Sequence, residues 1–235
     1  MDLRRSSVGW AVLAFAPLSL CLIAPAQTRS STTSPASPQH AKKPAAPDSA
    51  LDSGTVSNGV YRNKTLDFYC KIPEGWVLRT DELNAREDSK QEKKEVNPTA
   101  AQQPVASSAG AKVLLAAFSR PPEARAEDVN ASILIAAERA GSYPGLEEAA
   151  QYFGPLTEVA RAQGFTLDEN PYDIAIGTKT LVRGDFHKDV GSRVMRQSTL
   201  AMLWHGYAIS ITVIGGTDDE VEDLVDGLSF GPNGK

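Results

Sequence analysis

Three sets of side chains in this sequence have the types and spacing for chemistry. The first is Cys70 with His187 or His205, because a cysteine nucleophile needs a thiolate, a base within hydrogen-bond reach and a group that orients the base. Cys70 shares its parity with Leu66, Phe68 and Ile72, the apolar side of a strand, where loss of water raises a thiol pKa and bars access. That pattern predicts a buried structural cysteine, with Cys/His hydrolysis as the opposing reading. The second set is Asp185, His187 and Asp189, which alternate on one side of a strand and suit zinc or another divalent ion. A turn begins by Asp189 and no further His or Cys follows it at ligand spacing, so a solvated hairpin face is the expected role. The third set is Tyr143, Tyr152, Trp204 and Tyr207, aromatics that serve either a groove between sheet and helix or the core. Gly215 and Gly216, ahead of a helix, offer backbone N–H groups to an anion, but Asp218, Asp219 and Glu220 repel a phosphate and read as first-turn helix stabilisers.

The elements that must position these residues are legible from periodicity. Leu66 to Ile72 alternates as a half-buried strand, Pro73 to Gly75 supplies a turn, and Trp76 with Leu78 resumes the alternation. The stretches 112–120 and 131–140 are apolar on both faces, as strands near the middle of a covered sheet are, and Pro121 with Pro122 ends the first. Pro144 is expected to open a helix carrying Leu146, Ala149, Ala150 and Phe153 on one face, kinked or divided at Gly154 and Pro155 and ended at Gly164. From Phe165 the chain reads as sheet again, with a hairpin about Asp189 to Ser192. A helix capped by Thr217 or Asp218 follows, with Val221, Leu224 and Val225 inward, and then a closing strand from Leu228 to Phe230.

Not all of the 235 residues are expected to fold. Residues 1–26 run from Arg4 and Arg5 through an apolar stretch to Ala24 and Ala26, the layout of a signal peptide cleaved before Gln27; a retained anchor is the alternative. A lipoprotein reading of Leu18 to Cys21 fails on Leu20, since a small residue is needed before the cysteine. Cleavage discards Cys21 and leaves Cys70 as the one cysteine, so no internal disulfide is available. Residues 27–58, rich in Ser, Thr, Pro and Ala and containing His40, read as a disordered tether. A single domain is expected over 59–231, interrupted by a structureless polar insert at 84–110. The chain carries 24 basic and 29 acidic residues without a clustered basic face, which argues against nucleic acid as a partner.

The run YRNKTLDFYCKIPEGW resembles the entry of PsbP-like domains, and GYAISITV followed by an acidic helix and LSF is similar to their close. The resemblance spans Val60 to Phe230 without the insert and implies an α+β fold, an antiparallel sheet flanked by helices as an α/β/α sandwich. It implies no catalytic residues and no cofactor, because the matching positions Ile72, Pro73, Gly75, Trp76 and Tyr207 are structural, and members of one fold differ in activity. The sequence reading is therefore an exported, non-catalytic binding or accessory domain, periplasmic or secreted. Its expected partner is a protein or envelope component, and leader removal leaves no membrane span. Cys/His hydrolysis and divalent-metal binding are the competing functions.

Overall fold

The computed structural model describes residues 51–94, 111–124 and 128–231. The expected signal peptide, most of the expected tether with His40, and the later part of the polar insert lie outside the described residues. The chain enters through β1 (Thr55–Ser57), β2 (Val60–Asn63), β3 (Phe68–Lys71), β4 (Val77–Leu78) and α1 (Thr80–Lys94). It continues with β5 (Lys112–Phe118), β6 (Ser132–Arg139), a short 3-10 turn, α2 (Ala149–Ala162), β7 (Thr166–Leu167) and β8 (Tyr172–Ile176). The last elements are β9 (Lys179–Val190), β10 (Arg193–Trp204), β11 (Tyr207–Gly215), α3 (Asp218–Asp226) and β12 (Leu228–Phe230).

Two sheets result, both antiparallel, and with three helices the fold is α+β. The smaller sheet has the order β1-β2-β3-β12; the larger runs β4-β5-β6-β11-β10-β9-β7, with β8 also on β9. Alternation divides the larger sheet into two faces. On one, Leu115, Ile133, Ile135, Leu200, Ile209 and Ile211 share a core with the smaller sheet and with Val221, Leu224 and Val225 of α3. On the other, Phe186 and Ala201 meet Tyr152, Phe153 and Ala160 of α2, while Leu83 of α1 covers Val113 and Ala116. The first face is thus covered by a sheet as well as a helix, which departs from a layer of helices on each side.

The predicted β9–β10 hairpin forms about Gly191, at φ +63°, and Thr217 caps α3 by accepting from Glu220 N at 3.1 Å. Four expectations need correction. Leu51 is buried and β1 is paired, so ordered chain begins inside the stretch read as tether; burial of Leu51 and the β1–β2 ladder hold it. The first part of the polar insert is helical. Its Glu, Lys, Gln and Arg are good helix formers, and Asn84 ties α1 to β5 by bonding both Val113 N (3.0 Å) and Val113 O (2.9 Å). α2 starts at Ala149 rather than Pro144, because Gly145 takes φ +80° and a capping box between Glu148 and Gln151 sets the start. The helix also passes through Pro155 undivided; only the bond to the Gln151 carbonyl is lost, on a side open to water. The sheet that resumes after Phe165 opens with two short strands, β7 and β8, separated at Asp168 to Pro171 and both laid along β9.

Candidate functional site

A cavity of about 750 Å³ lies where the open edges of both sheets meet. Its floor and ends are Ile72, the Pro73 to Trp76 turn, and Leu224 with Gly227 at the end of α3. A second cavity of about 400 Å³ adjoins it, since Val56 and Leu78 line both. The two form one trough with β1 on one wall and β4 on the other. Val56 is 40% exposed and Leu78 45%, two of the few large apolar side chains that the described residues leave in water.

Local sequence explains the walls. Asn58 and Gly59 take φ +51° and +70°, the values of a type I′ turn, and close the β1–β2 hairpin in two residues. In such a hairpin the pair beside the turn, Ser57 with Val60, exchanges both backbone bonds, so the next pair, Val56 with Tyr61, points its N–H and C=O groups outward. Tyr61 directs its groups to Cys70 in β3; Val56 has no strand beyond it. The same alternation holds at β4. Arg79 N donates to Ala116 O at 2.9 Å, which makes the preceding pair, Leu78 with Ala117, the one that points outward. Among the described residues, each wall therefore offers a donor and acceptor that no strand pairs, at the residue whose apolar side chain lines the trough. Gly75, at φ +81°, lets the Pro73 to Trp76 turn close, and Trp76 lies half-buried against the core.

The trough is acidic. Glu74 and Asp223 line the larger cavity beside Lys71, and Asp81 and Glu82 line the smaller beside Arg79. Arg79 is held by Glu82 and, at 2.7 Å, by Glu123, and those carboxylates, Glu82 first, raise its guanidinium pKa above the ordinary value. The last turn of α3 carries no basic residue to answer the negative end of its dipole.

The residues singled out from sequence lie elsewhere. Cys70 is fully buried in the core from β3, its Sγ donates to the Lys71 carbonyl at 3.8 Å, and burial pushes its thiol up to about 12. His205 sits exposed in the β10–β11 turn at φ +47°, stacked on Trp204 with ring centroids 4.6 Å apart. His187 pairs with Asp168, so neither imidazole is placed against the thiol. Asp185 accepts from Arg183 Nε at 2.9 Å and Tyr172 OH at 2.8 Å, and Asp189 is exposed near the hairpin tip. Asp185 and His187 are thus each engaged by other partners, and no group of three such ligands is gathered among the described residues.

The four aromatics divide between opposite faces of the larger sheet. Tyr143 and Tyr152 meet edge to face at 5.3 Å on the α2 side and both donate to buried Glu138, Tyr152 at 2.9 Å. Burial, reinforced by Glu138, raises the Tyr152 phenol well above its ordinary range. Trp204 and Tyr207 pair across the β10–β11 hairpin and pack on the other core. Trp204 Nε1 donates to Thr65 O at 3.1 Å and Lys179 Nζ lies 3.6 Å above its ring. These four residues line no common groove.

Sequence reasoning missed Val56 and Leu78 as site residues. The signal for Val56 was present: Asn58-Gly59 between Thr55–Ser57 and Val60–Asn63 is a hairpin sequence hidden at the end of a stretch read by composition.

No described helix is long and apolar enough to cross a membrane. No family model matches the chain, and no curated protein matches it. The PsbP-like resemblance therefore rests on the residues quoted for it alone. Among solved structures, a candidate regulator of unknown function from Pseudomonas aeruginosa is 17% identical, with a TM-score of 0.34 over 58% of this chain and 90% of that one. A protein from Bacteroides thetaiotaomicron is 11% identical, with a TM-score of 0.32 over 72% of this chain and 46% of that one. LpqN of Mycobacterium tuberculosis, involved in cell envelope biogenesis, is 12% identical, with a TM-score of 0.31 over 70% of this chain and 83% of that one.

Proposed function

We propose that this protein is an exported, non-catalytic binding domain of the PsbP-like type that holds an extended segment of a partner polypeptide in the trough between β1 and β4. One observation carries the reading: Val56 and Leu78 each pair an exposed apolar side chain with outward-facing backbone groups on an unfilled sheet edge. Strand addition uses that combination, with main-chain bonds for affinity and side-chain contacts for specificity. Export follows from the leader-like residues 1–26, and the polar stretch after them gives the domain reach.

The test is amide hydrogen exchange of the protein with and without a capped heptapeptide of alternating Val and Thr. Outward-facing amides at Val56 and Leu78 exchange fast in the free protein and slow on strand addition. Unchanged exchange at both positions with millimolar peptide refutes the reading. A concentration-dependent dimer that protects both amides without peptide replaces it with pairing between copies.

A further inference from the structure

Resting on that reading of the trough, we infer that its partner segment is cationic: a strand of apolar residues alternating with Lys or Arg. The lining carboxylates Glu74, Asp223, Asp81 and Glu82 outnumber the lining cations Lys71 and Arg79. Arg79 is already engaged by Glu82 and Glu123, which leaves Lys71 as the cation that a guest meets without a carboxylate partner among the described residues. Asp223 and Asp226 stand in the last turn of α3, where aligned carbonyls already carry negative charge and where a cation is the stabilising neighbour. Lys71 N donates to the Gly227 carbonyl at 2.9 Å, so the backbone of β3 and the end of α3 meet at the trough floor. A strand laid along either wall points alternate side chains in opposite directions. Its apolar side chains can then cover Val56, Leu78 and Leu224, while alternate cationic ones reach Glu74 and Asp223 at the rim. Complementary charge selects among partners by penalising those of like sign.

Fluorescence anisotropy with three labelled heptapeptides tests this, alternating Val with Lys, with Thr or with Glu. The Val/Lys peptide is expected to bind about tenfold tighter than Val/Thr, about 1.4 kcal/mol, with Val/Glu weakest. Raising salt to about 0.5 M shrinks the advantage, because rim charges are screened. The double variant Glu74→Gln, Asp223→Asn brings Val/Lys down to the affinity of Val/Thr. Equal binding of all three peptides overturns the cationic partner and leaves strand addition standing. An advantage that survives in the double variant also overturns it, since the net charge of the chain, −5, then attracts the peptide from elsewhere. Binding by none of the three removes the trough as a strand-addition site, and the charge preference falls with it.

Discussion

The two ends of the larger sheet are finished in opposite ways. At the far end β9 is covered along its outer side by β7 and β8, and charges seal what these short strands leave. Arg183, 8% exposed, reaches Glu222 of α3 and Asp185, whose other partner is Tyr172 OH. Asp168 takes His187, and Arg196 joins Asp218 at 3.3 Å. At the near end β4 is only two residues long, with Leu78 in water and its outward backbone groups unpaired by any strand. Proteins blunt sheet edges with short strands and charges because an open edge invites pairing. The near end has a short strand and neighbouring charges too, but no strand or helix covers Leu78 there, and that missing cover is the difference on which the proposed strand addition rests.

The largest expected effect lies at the sealed end. Phe186 is 1% exposed, packed on α2 from the strand that β7 covers. Phe186→Ala is expected to cost about 4 kcal/mol in urea unfolding, through lost transfer energy plus a cavity. A cost under about 1 kcal/mol would show that this end is not packed as described and would erase the contrast. Next comes Arg183→Met. Burial alone lowers the Arg183 guanidinium pKa, and the hydrogen bonds it donates to Glu222 and Asp185 overcome it and hold the group above its ordinary value. Removing the cation strands two carboxylates, one of them, Glu222, half-exposed; the expected cost is about 2 kcal/mol, below that of a fully buried pair.

A third measurement asks whether the core beneath β3 is dry. The Cys70 thiol rises from an ordinary 9.0 to about 12 on folding, through desolvation. The folded state therefore keeps a proton that the unfolded chain gives up. This contribution is complete below pH 9 and is lost as pH climbs toward 12. Relative to Cys70→Ala, which has no proton to lose, wild type should lose about 1.4 kcal/mol of unfolding free energy per pH unit across that window. Tyr172, also pushed up to about 12 by burial, titrates in both proteins and cancels; Tyr61, pushed up to about 12 chiefly by burial, cancels except for the Cys70 charge, the smallest of its causes. A constant difference between the two proteins would mean that water reaches the core around Cys70.

What the sequence made legible follows the same division. Period-two alternation placed Leu66, Phe68, Cys70 and Ile72 inward, and helical spacing placed Val221, Leu224 and Val225, because each face was buried against one large core. α1 escaped because it has a single buried apolar residue, Leu83, among the residues whose burial is described; its anchorage comes from Asn84 and Thr80 bonding β5, and such contacts leave no period. At the sealed end the sequence leaves a metal site and a solvated hairpin face both open, since ligand types and ion-pair types are the same residues. Asp185 and His187 were correctly placed on one side of β9, but the arginine, aspartate and tyrosine that satisfy them come from β8, its approach and β9 itself. The Asn58-Gly59 turn marks β1, but the open trough itself was illegible for a different reason. It is built from two walls far apart in the chain, and what distinguishes Val56 and Leu78 is the absence of a neighbouring strand, which no local pattern records.

The smallest effect on stability should accompany the largest on binding. Leu78 is 45% exposed and its side chain leans over the trough rather than into a core. Leu78→Lys should therefore change unfolding free energy by no more than about 0.5 kcal/mol, the range of surface substitutions. The same change places a cation beside Arg79 and Lys71 and turns an apolar wall into a charged one, the device by which edges are protected against strand addition. A peptide alternating Val with Lys should lose at least tenfold in affinity, or about 1.4 kcal/mol, measured by anisotropy on a variant of unchanged melting temperature. If stability falls by 2 kcal/mol instead, Leu78 belongs to the core and the near end is sealed by packing. If stability and affinity both hold, the strand does not bind along β4, and the asymmetry between the two ends has no bearing on recognition.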